Sequence, residues 1–364
     1  MRVLIAAGGT GGHIYPGIAV AKEIVARDPS SVVRFVGTAR GLENRLVPQA
    51  GFELSIIESA GLVNMGLTQR LRGLLVLPKS FLGACRLIKS FAPDVVVGAG
   101  GYVSGPVVLT ASLMGLPTVL IELNAVPGFT NRRLARFVDI AALSFEAARP
   151  YFRGKGVVTG NPVRREFFDI KPKQRDATKV SLLLFGGSQG SRAINEAMIA
   201  ALSRLESHRE RLQVTHQTGP ADFAKVRDAY ASNGWTDANV REYIDDMMNA
   251  FAANDLIVSR AGATTSAELM AAGKAAIMIP LPGQLEQARN AEAMQQAGGA
   301  RMISQGDLTG ERLAKEIIEL VDAPEEITRM ETASRKLARQ DAAAATVDLI
   351  EEVRGRRSEV RCQK

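Results

Sequence analysis

The chain has 364 residues, of which 46% are hydrophobic and 23% are charged, and its formal net charge is +7. This composition is typical of a globular protein and excludes a wholly disordered chain or a collagen-like repeat. The length exceeds the roughly 250–300 residues that one hydrophobic core usually supports, so two domains are expected. The two cysteines, Cys85 and Cys362, are too few for a disulfide framework or a four-ligand zinc site, which favours a reducing compartment.

The apolar stretches of the sequence do not predict a signal peptide or a membrane span. The apolar residues near the start run only from Val3 to Ala7 before glycines begin. The longest apolar region, Pro106 to Ile121, is interrupted by proline and glycine and is shorter than the about 20 residues that a membrane helix needs. We therefore expect a cytoplasmic protein.

Basic residues are concentrated in the first half of the chain. Residues 1–160 contain 17 basic and 9 acidic side chains, a net charge of +8, whereas the remainder has a net charge of −1. Within this half, Ser59 to Pro93 contains no acidic residue, and its basic side chains are interleaved with leucines and phenylalanines. Such a pattern suits an anionic membrane surface, because cations meet lipid headgroups while apolar side chains enter the interface. On its own, the window favours helices that pack on a sheet with solvated charges. The lack of a recognisable binding module disfavours nucleic acid as a partner.

The first half of the chain alternates short apolar strands with helices. A strand at Val3–Ala7 is followed by the glycine-rich segment Gly8–Gly12 and by a helix from about Tyr15 to Val25, with Pro16 in its first turn. Further strands are predicted at Val32–Val36, Asp94–Val97 and Pro117–Leu123. This alternation indicates a parallel sheet that is covered on both faces.

The same pattern starts again in the second half. A strand at Val180–Phe185 precedes Gly186–Gly190 and a helix at Ala193–Leu202. A second set follows, made of a strand, a loop, a helix and another strand: Asp255–Val258, Ser259–Thr265, Ser266–Ala272 and Ala275–Ile279. We therefore predict two doubly wound units, one over residues 1–160 and one over residues 161–340, joined between Val158 and Lys179. The tail from Glu311 to Arg354 is helical by its period.

Glycine-rich loops between a strand and a helix typically hold phosphate groups, because small residues let the backbone approach and the helix dipole favours negative charge. Gly8–His13 lacks the Gly-Lys-Ser/Thr ending of a P-loop. It also lacks the acidic residue about 20 positions later that would read a nicotinamide ribose. Both an NTPase and a dehydrogenase are therefore disfavoured.

Histidine and glutamate residues next to these loops are candidates for catalysis and for substrate binding. His13 follows the first loop, where a histidine either acts as a general base or makes an ordinary structural hydrogen bond. His208 is expected to be solvated in a charged helix, and His216 is expected to follow a strand. Glu268 is predicted in the first turn of its helix, where it suits the dipole or accepts both hydroxyls of a ribose. Thr264, Thr265 and Ser266 are alternatively ordinary helix N-caps.

Nine segments, including the glycine-rich loops, occur in a fixed order over most of the chain: Gly8–His13, Gly100–Pro106, Asn124–Asn131, Gly160–Arg164, Gly186–Gly190, His216–Gly219, Tyr243–Met247, Ser259–Glu268 and Gln287–Ala291. Together they resemble the MurG family of N-acetylglucosaminyltransferases of peptidoglycan assembly. The resemblance implies an α/β GT-B fold, with two Rossmann-like doubly wound parallel-sheet domains that face each other across a cleft. It also implies that the helix at residues 341–364 packs back on the N-terminal domain.

The resemblance assigns UDP-GlcNAc to residues in both halves: Thr10, Gly11, Gly12, Asn124, Arg164, Ser188, Ile244, Ala263, Thr264, Glu268 and Gln287. In this set, Ile244 lies against the uracil, Glu268 takes the ribose hydroxyls and Gln287 reads sugar hydroxyls. The diphosphate is held by Ser188 and by the backbone amides of residues 263 and 264. His13 becomes the candidate base. The residues assigned to an acceptor or membrane face are Tyr102, Asn131, Arg70, Arg72 and Lys79.

The implied reaction transfers GlcNAc from UDP-GlcNAc to the C4 hydroxyl of MurNAc in lipid I, which gives lipid II and UDP with inversion and needs no metal or other cofactor. The resemblance also implies peripheral contact with the cytoplasmic face of the inner membrane through Leu62 to Phe91. It further implies that cell-wall synthesis and division proteins are partners. The sequence departs from the family pattern at Leu123, Ser191 and Glu286, which leaves the roles of Leu123 and Glu286 open. The alternatives are another GT-B lipid glycosyltransferase, a UDP-sugar epimerase of similar fold and a dinucleotide-sensing module, the last disfavoured by the missing ribose acid.

Overall fold

The computed structural model describes residues 1–39, 41–59, 67–172 and 179–362, with the side chains of residues 67–76 and 357–362 left undescribed. The chain forms two compact units. Unit 1 comprises Met1–Arg164 together with the chain from Arg339 onwards, and unit 2 comprises Arg165–Ala338.

Unit 1 is built on a seven-stranded parallel sheet. Its strands are β1 (Arg2–Ala7), β2 (Val32–Gly37), β3 (Glu53–Ile56), β4 (Val95–Gly100), β5 (Thr118–Glu122), β6 (Ile140–Leu143) and β7 (Gly156–Val158). Their order in the sheet is β3-β2-β1-β4-β5-β6-β7, and Val3 of β1 lies opposite both Val33 and Val95. The six residues of β4 are all buried, which explains why this strand reads as a continuous apolar and glycine run.

Unit 2 contains a six-stranded parallel sheet. Its strands are β8 (Val180–Phe185), β9 (Leu212–Gln217), β10 (Asn239–Arg241), β11 (Leu256–Ser259), β12 (Ala275–Met278) and β13 (Ala300–Met302). They are ordered β10-β9-β8-β11-β12-β13, so this unit has the strand order of a classical dinucleotide-binding fold. Its core packs the apolar strand faces against helices through residues such as Leu182, Met198 and Ile317. The prediction of two Rossmann-like parallel-sheet units is therefore confirmed.

The helices cover the faces of these sheets. They are α1 (Gly11–Arg27), α2 (Glu43–Gln49), α3 (Leu67–Phe91), α4 (Ser104–Leu113), α5 (Phe129–Leu134), α6 (Arg192–Ala201), α7 (Phe223–Ser232), α8 (Met247–Ala253), α9 (Ala263–Ala272), α10 (Leu285–Gln296), α11 (Gly310–Asp322), α12 (Pro324–Lys336) and α13 (Ala342–Cys362). Among the described residues, none of these helices is long and apolar enough to span a membrane.

The last helix, α13, packs within unit 1. Arg27 of α1 donates to Asp348 Oδ1 at 2.6 Å and to the carbonyl oxygen of Ala344 at 2.9 Å. The buried hydroxyl of Thr346 lies 3.4 Å from that of Thr159, which follows β7. The C-terminal helix is thus anchored to unit 1 by both exposed and buried contacts.

Two helix starts differ from the sequence prediction. The first helix begins at Gly11 instead of Tyr15, so Pro16 is its sixth residue and not part of its first turn. The helix predicted from Ser266 begins at Ala263. In both cases the helix starts inside the glycine-rich segment, because tertiary contacts there outweigh the low helix propensity of glycine.

The strand order reverses direction at one point in each sheet, between β1 and β4 in unit 1 and between β8 and β11 in unit 2. In open α/β sheets, ligands bind at the carboxyl ends of the strands next to this reversal. The two glycine-rich loops that the sequence singles out lie at these points, one in each unit.

Candidate functional site

The first glycine loop of unit 1 packs directly on a second one. Gly8 and Gly9 follow β1, and Gly100 and Gly101 end β4 or follow it. A Cβ atom at Gly101 would lie 2.2 Å from the carbonyl oxygen of Gly8, and Gly101 has a φ of +82°. Only glycine allows this backbone-to-backbone approach, so the two loops form one continuous surface at the strand reversal.

His13 lies in the first turn of α1, which begins four residues before the predicted start at Tyr15. Its ring lies on Gly100, where a Cβ atom would come within 2.2 Å of Nδ1. Burial lowers the pKa of His13 from its ordinary value, an effect partly offset by the backbone of Ala99. The imidazole is therefore neutral at neutral pH. The Nδ1 atom of the ring is buried.

Glu122, at the end of β5, brings together two of the predicted site residues. Its buried carboxylate accepts hydrogen bonds from the backbone N–H of Asn124 at 2.9 Å, from Asn131 Nδ2 at 2.9 Å and from the N–H of Gly128 at 3.3 Å. Burial raises the pKa of Glu122 to about 7. Asn131 is itself buried, and Leu123 is a core residue. The sequence prediction named both asparagines but missed the carboxylate that orders them.

Other predicted residues of unit 1 make contacts outside the hydrogen bonds of Glu122. Tyr102 is half exposed just after the second glycine loop, and its carbonyl oxygen accepts a hydrogen bond from Ser59. The guanidinium of Arg164 lies 4.2 Å from the ring centroid of Tyr15. Lys79 is exposed on α3, with Nζ 3.8 Å from Glu58 Oε2. Arg70 and Arg72 are in the described backbone of α3, but their side chains lie outside the described part, and Leu62 lies outside it altogether.

In unit 2, the loop after β8 packs against the segment after β9. A Cβ atom at Gly190 would lie 1.8 Å from the carbonyl oxygen of Thr218, and one at Gly219 would lie 2.1 Å from that of Gln189. Both glycines have a positive φ. This paired approach fixes the course of the loop that bears Ser188, which is half-buried.

Gln217 is a second residue that the prediction did not single out. It is buried at the end of β9, where its Nε2 donates to the carbonyl oxygen of Gly187 at 2.8 Å. Its Oε1 accepts a hydrogen bond from the backbone N–H of Ile244 at 3.0 Å. One side-chain amide therefore joins the loop of Ser188 to Ile244, the residue assigned to the uracil.

The third predicted part of unit 2 is the start of α9. Its N-cap is Gly262, and Ala263 and Thr264 are its first two residues. Thr264, Thr265 and Ser266 therefore lie within the helix and are not N-caps. Glu268 belongs to the second turn instead of the first, and it is buried. A helix that starts at a glycine-rich loop presents its backbone N–H groups and positive dipole end to an anion.

Gln287 lies in α10, beside the segment that follows β12. Its Oε1 accepts a hydrogen bond from the backbone N–H of Leu281 at 3.1 Å, which leaves the Nε2 hydrogens of the amide for other partners. The neighbouring Asn290 is buried and donates to the carbonyl oxygen of Ala261 at 3.0 Å. This contact connects α10 to the loop that opens α9.

His216 lies within β9 and does not follow a strand as predicted. It is fully buried, with Nδ1 3.2 Å from the hydroxyl of Tyr230 and Nε2 3.1 Å from Asn195 Oδ1. Burial lowers the pKa of His216 to about 3. This histidine is therefore a neutral part of the unit 2 core.

Comparison with known proteins matches both units to one enzyme family. Residues 3–143 match the glycosyltransferase family 28 N-terminal domain, and residues 181–346 match the glycosyltransferase family 28 C-terminal domain. A protein of Anaeromyxobacter sp. (strain K) named UDP-N-acetylglucosamine–N-acetylmuramyl-(pentapeptide) pyrophosphoryl-undecaprenol N-acetylglucosamine transferase is 48% identical, over 98% of this chain and 94% of its own. A protein of the same name from Myxococcus xanthus (strain DK1622) is 46% identical, over 96% of this chain and 92% of its own.

Solved structures agree with this grouping. The crystal structure of Acinetobacter baumannii MurG has a TM-score of 0.73 and 30% identity, covering 96% of this chain and 99% of that one. A UDP-GlcNAc 2-epimerase from Neisseria meningitidis has a similar TM-score of 0.71 over 97% of this chain and all of its own, but at 14% identity it shows a shared fold alone. This chain is therefore a member of glycosyltransferase family 28, within the MurG family that its sequence motifs predict.

Proposed function

We propose that this protein transfers GlcNAc from UDP-GlcNAc to the C4 hydroxyl of MurNAc in lipid I, forming lipid II and UDP for peptidoglycan synthesis. The observation that supports this most strongly is the 48% identity, over nearly the whole chain, to a transferase named for this reaction. The two glycine-loop sites, one at the strand reversal of each unit, agree with an enzyme that handles a nucleotide sugar and a pyrophosphate-linked acceptor.

The donor is proposed to bind at the carboxyl edge of the unit 2 sheet. The loop of Ser188 and the start of α9 offer backbone N–H groups to the diphosphate. Ile244 contacts the uracil, Glu268 accepts the ribose hydroxyls and Gln287 contacts the sugar. Gln217 supports the arrangement, since it connects the diphosphate loop to Ile244.

His13 is proposed as the general base of a single inverting displacement. The acceptor oxygen forms a bond to the anomeric carbon while the bond from that carbon to UDP breaks. The acceptor proton moves to His13 Nε2, and UDP leaves with the bonding electrons. A neutral imidazole is required for this step, and the lowered pKa of His13 supplies it near neutral pH.

No metal ion is proposed to be required. The negative charge that develops on UDP is stabilised by the backbone N–H groups of the unit 2 loop and by the dipole of α9. Transfer activity that persists in excess chelator is the expected result, and activity that returns only with added divalent cations would contradict this part of the proposal.

Peripheral contact with the cytoplasmic face of the membrane is proposed through unit 1. The exposed apolar side chains of Ile56 and Leu82 line the same groove as the basic side chains of Lys79 and Arg86, and the acidic Glu58 lies beside Lys79. Such a mixture suits an anionic lipid surface, where the acceptor's lipid chain resides. Cell-wall synthesis and division proteins are the proposed protein partners, and nucleic acid is not one.

The test is UDP release from UDP-GlcNAc with and without a lipid I analogue, with the product mass recorded. Release that depends on the acceptor, together with one added GlcNAc, is the expected result. Conversion of the donor without any acceptor would instead favour the epimerase alternative, which has only fold similarity behind it. Transfer to a different lipid acceptor would favour another lipid glycosyltransferase.

A further inference from the structure

The carboxylate of Glu43 lies buried beneath the first glycine loop of unit 1. Glu43 is the first residue of α2, and its exposed fraction is 0%. Its Oε2 accepts a hydrogen bond from the backbone N–H of Gly9 at 2.9 Å. Its Oε1 accepts two more, from the N–H of Thr38 at 2.8 Å and from the Thr38 hydroxyl at 3.0 Å. Both oxygens are therefore engaged by donors of the two neighbouring segments, as a buried carboxylate requires.

Three glycines make room for this side chain. A Cβ atom would lie 3.0 Å from Oε1 at Gly8, 2.4 Å from Cγ at Gly37 and 1.8 Å from Oε2 at Gly41. None of the three has a positive φ. Glycine is therefore needed at these positions because a larger residue would overlap the Glu43 side chain, and not because of the backbone conformation.

Gly9 is held on both sides of its backbone by the start of α2. Its N–H donates to Glu43, and its carbonyl oxygen accepts from the N–H of Leu42 at 3.3 Å. The next residue, Thr10, is the N-cap of α1, and its carbonyl oxygen accepts from the N–H of His13 at 3.1 Å. The position of Gly9 therefore determines where the first turn of α1 begins and where His13 lies on the second loop.

We propose that Glu43 is a positioning residue for the transfer reaction, whose carboxylate fixes Gly9 and thereby the first glycine loop and His13. It acts through the loop and does not touch the substrate. This inference rests on the proposed function for its effect on turnover, but the connection from Glu43 to His13 is a property of unit 1 alone. A glutamine at this position leaves one N–H donor facing an amide NH₂, because it has a single acceptor oxygen.

The test compares Glu43→Gln with Glu316→Gln, a matched control. Glu316 is also a buried carboxylate, but it belongs to unit 2 and is paired with Arg301 and Arg312. Below the melting temperature of each variant, we expect kcat of Glu43→Gln to fall about 100-fold, since displacing a catalytic group by about 1 Å has effects of this size. KM for UDP-GlcNAc should change much less than kcat, because the residues proposed to bind the uracil, the ribose and the sugar belong to unit 2. The control should keep both constants.

A second measurement does not depend on activity. The chain has three histidines, so the ring signals of His13, His208 and His216 can be assigned by substitution in a ¹³C-histidine-labelled sample. Glu43→Gln should shift the His13 signal and leave the other two in place. If Glu43→Gln does not fold, Thr38→Val removes only the hydroxyl bond, and we expect a several-fold fall in kcat with a His13 shift in the same direction.

Normal kcat together with an unmoved His13 signal in either folded variant would overturn the proposal. A lowered melting temperature with normal kcat would overturn it too, because it would show a structural role alone. Wild-type protein that transfers no GlcNAc would instead count against the proposed function, while the His13 signal would still decide whether Glu43 positions this residue.

Discussion

The imidazole of His13 lies on the α-carbon of Gly100, at the carboxyl end of the central strand β4. A Cβ atom at this position would lie 2.2 Å from Nδ1 and 2.8 Å from Cγ and Cε1, and Gly100 has a φ of +114°. Gly100, the last residue of β4, therefore contacts the ring of the proposed base, which belongs to α1.

Gly100→Ala should lower kcat by about 100-fold or more, because the new methyl group displaces the His13 ring and strains the backbone. KM for UDP-GlcNAc should change less than kcat, since the residues proposed to bind the uracil, the ribose and the sugar belong to unit 2. Gly355→Ala is the control: it lies in α13 of the same unit, and its Cβ would meet no atom within 4 Å. Steady-state kinetics of both variants provide the check, and a Gly100→Ala enzyme with wild-type kcat would contradict the placement of His13.

His13→Gln should lower kcat at least about 100-fold with donor binding retained. In the wild-type enzyme, activity should be lost as the pH falls through the pKa of His13, because protonated imidazole cannot accept the acceptor proton. Burial lowers this pKa from 6.5, so the loss should occur below pH 6.5. Measurement of kcat between about pH 5 and 8 tests this, and an acid limb that survives in His13→Gln would assign the base to another residue.

Gln217→Met should raise KM for UDP-GlcNAc by roughly 10-fold or more, with a smaller change in kcat. Methionine has a similar volume but loses the hydrogen bonds to Gly187 and Ile244, each worth about 1 kcal/mol. The matched control is Gln213→Met, on the exposed, opposite end of the same strand. Calorimetric titration with UDP would reveal the difference, and equal affinities in the two variants would show that Gln217 does not organise the donor site.

The free energy of unfolding should depend on pH through His216. Its pKa is about 3 in the folded state because of burial, against 6.5 in the unfolded chain, so the unfolded state binds more protons between these values. Stability contributed by this group should therefore fall by about 2 kcal/mol between pH 6.5 and 5. Denaturant unfolding of His216→Gln should show a weaker acid dependence than wild type, whereas Gln213→Met, at the exposed end of the same strand, should retain it.

Combined charge reversal of Arg70, Arg72 and Lys79 to glutamate should weaken binding to anionic vesicles. The expectation follows from the acid-free basic window of the sequence, and the loss should be largest at low ionic strength. Reversal of Lys225, Arg227 and Lys315, which are exposed in unit 2, is the charge-matched control. Vesicle co-sedimentation that is equal for the two triple variants would rule out this docking surface.

Sequence pattern alone predicts the two parallel-sheet units and their glycine-rich loops. Short apolar runs such as Val3–Ala7 and Val180–Phe185, each followed by glycines and a helix, specify local structure through residues that are adjacent in the chain. The same local pattern placed His13 beside the first loop. The ordered motifs identified the family, which near-full-length relatives confirm.

Local pattern was less reliable for the ends of elements. The sequence pattern places the first residues of α1 and α9 several positions too far along the chain. The true first residues are glycine, alanine and threonine, which lie in segments typical of loops. His216 was placed after its strand although it lies within it, since a polar residue in a buried strand looks like an end when its partners are unknown.

The side chains that hold the candidate sites together come from segments that are distant in sequence, and sequence pattern does not predict their partners. Glu43 meets Gly9 across 34 residues, and Gln217 meets Gly187 across 30. The ring of His13, in the helix that follows β1, contacts Gly100 at the end of β4. The spacing of hydrophobic residues indicates whether a residue is buried and in which kind of element it lies, but it does not indicate which loop contacts that residue. That partner depends on strand order and register, which bring the carboxyl ends of sequence-distant strands to one edge of a sheet.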